Sequence, residues 1–216
     1  MNNSDEFEIL NLTELSDGIA GIFCSQGTSF YIRFDYLETV AKDRIKIGEK
    51  FSSEEWNDII NAALCFAAET KATEYLCRAE QCHFKLAQKL VQKKMEKSAV
   101  NKALAYLEQK NLLNDERYCS SWLQDHTMFK FQGRTRLLSE LLSRGIDNRT
   151  AKKALDSFFS ENSEEDFCKK AYRSALRQGK SSDKLLKFML DAGFSYKLIQ
   201  KTKIYFEDAN HLEEKI

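Results

Sequence analysis

One helical segment recurs three times along this chain, and that recurrence limits the possible folds more than any other feature. Leu86 to Leu107 reads LAQKLVQKKMEKSAVNKALAYL. A shift of 51 residues brings it onto Leu137 to Phe158, LLSELLSRGIDNRTAKKALDSF, and a further shift of 48 onto Leu185 to Phe206, LLKFMLDAGFSYKLIQKTKIYF. Apolar positions superpose without gaps: Leu86, Leu137 and Leu185; Leu90, Leu141 and Met189; Met95, Ile146 and Phe194; Val100, Ala151 and Ile199; Leu107, Phe158 and Phe206. A fixed period of about 50 residues marks an array of supersecondary units. In an array each unit shares its core with its neighbours, and the stack presents an extended surface to partners. The repeat therefore points to binding rather than catalysis.

Composition agrees with a helical array. The 216 residues include no Pro, an absence that helices tolerate better than loop-rich folds do. No apolar run approaches the roughly 20 residues of a membrane span. The opening MNNSDEFEIL lacks the basic and apolar regions of a signal peptide. None of the six cysteines forms a Cys-x-x-Cys pair, so reduced thiols in a cytoplasmic protein are expected. The net charge of zero hides an asymmetry: residues 1–60 carry 5 Lys/Arg against 12 Asp/Glu, and residues 130–203 carry 17 against 9. A local basic surface attracts polyanions even on a neutral protein.

Before the array, residues 7–34 read as β. Phe30, Ile32 and Phe34 alternate with Tyr31 and Arg33 after the turn Ser25-Gln26-Gly27-Thr28, which predicts a hairpin. A lone hairpin is marginal in water, so it must dock on a helix or a third strand; a short helix at about 36–43 is one candidate. Ser52-Ser53-Glu54-Glu55 is a capping box ahead of Trp56, Ile59, Ile60, Ala63, Leu64 and Ala67 at helical spacing. That helix reaches Tyr75 and Leu76, with a break expected near residues 69–72. The expected organisation is an acidic N-terminal segment (1–52), helical units at 53–111, 112–160 and 161–209, and a tail (210–216).

The turns of the repeat carry its clearest local chemistry. Arg144-Gly145-Ile146-Asp147 and Ala192-Gly193-Phe194-Ser195 are equivalent. Gly145 and Gly193 sit where a preceding helix would end in a left-handed residue, and Asp147 and Ser195 would cap the next helix. One more helix precedes each pair, at 115–129 and about 164–178, with Asn114 and Ser163 as caps. The first copy has Lys94 in place of Gly and Glu96 in place of the cap. A left-handed non-Gly residue costs about 1–2 kcal/mol, so that turn is either strained or built differently.

Asn114-Asp115-Glu116-Arg117-Tyr118, followed by Gly133-Arg134-Thr135-Arg136 and Glu140-Leu141-Leu142-Ser143-Arg144-Gly145-Ile146, resembles the second unit of the RecX family of RecA regulators. Tyr75 to Cys82 resembles the opening of the family's first unit, and Gly193-Phe194-Ser195-Tyr196 part of its last. The resemblance covers about residues 62–206. It implies a mainly α protein, a tandem array of three three-helix units, elongated and curved. It also implies a partner, the RecA filament, bound in its groove with restraint of its ATPase and strand exchange, and weak, salt-dependent binding of single- or double-stranded DNA. A cytoplasmic monomer with no enzyme activity and no cofactor is expected.

Basic residues form the candidate interface: Arg134, Arg136, Arg144, Arg149, Lys152 and Lys153 in one unit, and Lys169, Lys170, Arg173, Arg177 and Lys180 in the next. Lys169, Lys170, Arg173 and Arg177 share one broad helical face. An ordinary solvated face competes with a phosphate-contacting stripe, whose binding would be salt-dependent and sequence-blind. Phe129 and Phe131, flanking Lys130, are either packing residues or a stacking pair. Cys77, Cys82 and His83 fall short of a zinc ligand set. The other histidines, His126 and His211, lie far away in sequence, which leaves few general bases. The competing function classes are a nucleic-acid module acting without RecA and a helical scaffold for another protein.

Overall fold

The computed structural model describes residues 7–15 and 18–213. The chain divides into two compact units, Met1–Asn114 and Asp115–Ile216. The first opens with a four-stranded antiparallel sheet in the order β3-β2-β1-β4. Its strands are β1 (Phe7–Glu14), β2 (Ile19–Cys24), β3 (Ser29–Arg33) and β4 (Lys50–Phe51). Three helices follow: α1 (Ser53–Leu76), α2 (His83–Gln92) and α3 (Lys97–Gln109).

The predicted hairpin is β2–β3, pairing Ile22 with Phe30 and Ala20 with Ile32. It meets both supports that a hairpin can use: β1 adds a third strand, and α1 covers the face. Ile9, Ala20, Ile22, Ile32 and Phe51 pack on Trp56, Ile59, Ala62 and Cys65 of α1. Phe7 stacks on Trp56 with centroids 5.0 Å apart. The helix expected at 36–43 is absent; two single 3₁₀ turns, Phe34–Tyr36 and Lys42–Arg44, take its place. Asp58 of α1 holds the chain between them, accepting from the backbone N–H of Thr39 at 2.8 Å and of Val40 at 2.9 Å. A carboxylate that satisfies these amides leaves the segment no need of helical hydrogen bonds.

The break expected at residues 69–72 does not occur. Glu69 is 7% exposed within an unbroken α1. Its carboxylate accepts from Arg33 Nε at 2.8 Å and from the Tyr36 hydroxyl at 2.9 Å. The Arg33 guanidinium also lies 4.6 Å from the centre of the Tyr106 ring. The acid that reads as an interruption is thus the helix's anchor to the sheet. At the other end of α1 the capping box forms: Ser52 Oγ accepts from Glu55 N–H at 3.3 Å, and Glu55 accepts from Ser52 N–H at 2.9 Å.

The second unit holds α4 (Asp115–Thr127), α5 (Arg134–Leu142), α6 (Asn148–Glu161), α7 (Glu164–Arg177), α8 (Ser182–Asp191) and α9 (Tyr196–Glu213). With α1–α3, these helices make three three-helix sets on a mainly α plan. Leu86, Leu137, Leu90, Leu141, Met189, Val100 and Ala151 are fully buried, and Leu185, Ile146, Phe194 and Ile199 nearly so. The repeat register is therefore the core register. α9 runs to Glu213, past the boundary at 209 expected for the tail, and residues 214–216 lie outside the described residues.

All three repeat turns share one hydrogen-bond plan. Met95, Ile146 and Phe194 donate their N–H to the carbonyls of Leu90, Leu141 and Met189 at 3.3, 3.3 and 3.2 Å. Between the two helices, Lys94, Gly145 and Gly193 take φ of 63°, 82° and 87°. Of the two alternatives for the first turn, the structure adopts the strained one: Lys94 occupies the left-handed region that the other copies give to glycine. Asp147 caps α6 by accepting from Arg149 and Thr150 N–H. Ser163 caps α7 through Asp166 N–H, and Ser195 Oγ accepts from Leu198 N–H. Glu96 makes no side-chain cap.

Candidate polyanion-binding surface

All eleven candidate basic residues fall in the second unit, and the structure divides them into two classes. Five are paired with carboxylates. Arg134 pairs with Asp156, Arg136 with Glu140 at 2.9 Å, and Arg144 with Glu140 at 3.0 Å. Lys153 reaches across to Glu116 at 2.8 Å, and Lys169 pairs with Glu165 at 2.9 Å. Glu165 also meets Lys201 at 2.6 Å. The two ammonium groups, Lys201 first, hold its pKa down at about 2. Desolvation works against the Glu140 carboxylate, yet the guanidiniums of Arg144 and Arg136 outweigh it and keep that pKa below its ordinary value.

The other six, Arg149, Lys152, Lys170, Arg173, Arg177 and Lys180, enter no ion pair among the described residues. An unpaired surface cation keeps its whole field for an incoming anion, whereas a paired one must first give up its partner. Lys130, Lys184 and Lys187 are likewise exposed and unpaired. Within the second unit, these nine unpaired cations lie on α6, α7 and α8, in the 128–133 loop, and at Lys180 between α7 and α8.

The basic face of α7 is also divided by what it leans on. Lys169 lies over the Tyr205 ring at 4.4 Å and Arg173 over Phe206 at 5.7 Å, both toward α9. Lys170 turns the other way, 5.4 Å from the centre of the Phe131 ring. Lys180 sits 4.8 Å from Phe188 of α8. Cation–π attraction of these charged groups to the ring faces favours where they point.

Lys170 and Lys180 border a groove of about 460 Å³ lined by the 129–132 loop, Arg136, Ala171, Ser174, Phe188, Asp191 and Ala192. Its rim is set by how α4 ends. Thr127 Oγ1 donates to the Leu123 carbonyl at 2.6 Å, and α4 stops there, two residues short of the expected 129. The loop is then fastened at three points. His126 Nε2 and Gln132 Oε1 lie 2.8 Å apart. Gly133 N–H donates to the Ala192 carbonyl at 2.8 Å. Arg134 N–H, at the start of α5, donates to the Glu164 carboxylate at 2.8 Å. The backbones of Gly133 and Gly193 come so close that a Cβ on Gly133 would lie 2.4 Å from the Gly193 oxygen.

The two loop phenylalanines separate. Phe131 packs edge-on against Phe167, 5.9 Å away, within the third core cluster. Phe129 stands 87% exposed at the groove's edge. Sequence reasoning passed over Gln132, Ser174, Phe188 and Asp191. Phe188 looks like one more apolar helix position, and only its place one residue after Lys187 and four after Lys184 hinted at a surface role. In the first unit, His83 Nδ1 lies 2.6 Å from Glu108 Oε1, and Cys82 is fully buried. No group of three or more potential metal ligands occurs among the described residues, and no described helix is long and apolar enough to cross a membrane.

Comparison with known proteins extends this picture. A family model described as RecX, second three-helix domain, matches residues 114–155, which takes in α4, α5 and half of α6. The Regulatory protein RecX of Treponema pallidum strain Nichols is 28% identical over 155 residues, covering 72% of this chain and 94% of that protein. The protein of the same name from Clostridium botulinum strain Eklund 17B is 26% identical, covering 86% and 90%. Among solved structures, a crystal structure of regulatory protein RecX superposes with a TM-score of 0.73 at 18% identity, over 91% of this chain and 98% of that one. RecX from Lactobacillus salivarius gives 0.58 at 19% identity, over 67% and 97%. At those identities the structures speak for the fold. The second-unit match and the relatives that span most of the chain point the same way: the chain is similar to RecX proteins along most of its length.

Proposed function

We propose that this protein is a non-enzymatic regulator of the RecA recombinase, an inhibitor that binds the groove of the RecA–DNA filament and restrains its ATPase and strand exchange. It would act in the cytoplasm, as a monomer, in DNA repair and recombination. Similarity to RecX proteins supports the partner. The observation that carries the interface is the run of unpaired cations on α6, α7 and α8, suited to the phosphates and acidic walls of a nucleoprotein groove. Repeated helical sets touching successive protomers would multiply weak contacts through effective concentration.

The test titrates the full-length protein into RecA turning over ATP on single-stranded DNA. Turnover should fall as the protein approaches stoichiometry with the filament. Unchanged turnover at excess would refute the reading. A second reading, a nucleic-acid module acting without RecA, is favoured by the exposed ring of Phe129 beside cations. It predicts tight, salt-sensitive DNA binding by the protein alone, together with indifference to RecA.

A further inference from the structure

We propose that the groove between the 128–132 loop, α7 and α8 is a subsite for one unstacked base of single-stranded DNA. Phe129 serves as its stacking platform, and Lys130, Arg136, Lys170 and Lys180 meet the flanking phosphates. The choice of DNA rests on the filament reading above; the subsite itself rests on the geometry of the groove.

Single exposed apolar side chains are ordinary on protein surfaces, so the 87% exposure of Phe129 does not decide the matter alone. Its setting does. The loop that presents the ring is fastened by the His126–Gln132 contact and by the Gly133 bond to Ala192, while Phe131 is packed against Phe167. A ring held out on a fastened loop gives up little further freedom when it binds, and such preorganisation favours affinity. The adjoining groove, about 460 Å³, falls in the size range of small-ligand clefts and can admit a base.

The charge around the groove selects the occupant. Lys130 and Arg136 line it, Lys170 and Lys180 border it, and Asp191 is the one carboxylate in its lining. Arg136 shares Glu140 with Arg144, so Lys130, Lys170 and Lys180 supply the unshared charge. An aromatic face ringed by cations matches a chain of flat rings joined by phosphates. Gln132 and Ser174 add few polar groups toward a base edge, so the subsite would tolerate any base. In a duplex both faces of each base are already stacked, so the platform distinguishes single strands from double.

The experiment uses the full-length protein without RecA and a single-stranded oligonucleotide carrying one 2-aminopurine. The native protein should bind it with a change in 2-aminopurine emission. Phe129→Ala removes no core contact and should weaken binding roughly 5- to 150-fold, the usual effect of one base–aromatic stack, and abolish the emission change. Phe129→Trp should restore both. Affinity for a duplex of the same sequence should not respond to Phe129→Ala. Equal oligonucleotide affinity for Phe129→Ala and the native protein would overturn the proposal, as would equal losses on single and double strands. Oligonucleotide binding that survives Phe129→Ala while restraint of RecA is lost would also overturn it, because the ring would then be meeting a protein. A native protein that leaves RecA turnover unchanged yet binds the oligonucleotide through Phe129 would refute the filament reading and support the subsite.

Discussion

Replacing Gly133 with alanine isolates the close approach of two backbones in the second unit. Gly133 has φ −82° and ψ 168°, a conformation open to any residue, so alanine brings no backbone strain. The obstacle is space. The new Cβ would lie 2.4 Å from the Gly193 oxygen, 2.6 Å from its carbonyl carbon and 2.8 Å from Phe194 N. These atoms are backbone, without rotamers to yield, so the segments must separate by most of an ångström. Overpacking of this kind costs about 1–3 kcal/mol. The separation also lengthens the 2.8 Å bond from Gly133 N–H to Ala192, worth about 1 kcal/mol. The expected total is about 2–4 kcal/mol.

Gly179 is the matched control. Its φ is +70° and nothing lies within 4 Å of an added Cβ. Alanine there meets the left-handed penalty of about 1–2 kcal/mol, partly offset by about 0.4–1 kcal/mol of lost unfolded-state entropy. The assay is urea unfolding followed by far-UV circular dichroism and by Trp122 fluorescence in a Trp56→Phe background. Trp122 belongs to the second unit, so the fluorescence transition should report the loss. Gly133→Ala within about 0.5 kcal/mol of the parent, or costing less than Gly179→Ala, would refute the steric reasoning.

Three further outcomes are expected. Glu69→Ala should cost the first unit about 3–5 kcal/mol, because it takes from the buried Arg33 guanidinium the carboxylate that meets it at two nitrogens, whereas Glu69→Met with Arg33→Met should cost much less; equal losses in urea unfolding would show that the pair itself, not the buried charge deprived of its carboxylate, sets the penalty. Lys94→Gly relieves φ 63° at about 1–2 kcal/mol but returns part of that as unfolded-chain entropy, so a net gain of up to about 1 kcal/mol is expected by the same assay; a loss would mean the Lys94 side chain makes a stabilising contact. Glu165, whose folded pKa of about 2 lies below its ordinary 4.5, stabilises the fold fully above pH 4.5 and loses that contribution as pH falls toward 2; carboxyl NMR titration should find the low value, Lys201→Met should raise it, and an unmoved midpoint in that variant would discount the pair.

Much of the fold could be read from the repeat because burial in a helical array follows a local period. Leu86, Leu137 and Leu185 fall at one register and all go inside. Caps were legible for the same local reason: Ser52, Asp147, Ser163 and Ser195 act within three residues of themselves. What escaped depends on contacts between distant segments. Glu69 looked like an interruption because nothing near it in sequence shows that Arg33 and Tyr36 will meet it. β4 contributes two residues, too short to show alternation. The basic residues gave the right unit but not the right subset. Whether Lys153 is available depends on α4 bringing Glu116 within 2.8 Å, and whether Lys152 is available depends on no acid doing so. Phe129 and Phe131 lie two residues apart, yet only the docking of the loop on α7 and α8 separates the buried ring from the exposed one.

The joint at Gly133 and Gly193 also has a mechanical consequence. Most contacts between helices are cushioned by side chains, which absorb a small displacement by changing rotamer. Here main chain meets main chain, with a hydrogen bond from Gly133 to Ala192 and no such cushion. A pull on the loop that carries Phe129 would therefore pass with little slack into the turn between α8 and α9. The joint behaves less like a soft seam than like a pinned linkage, and a load taken at the groove would be felt at the far end of the second unit.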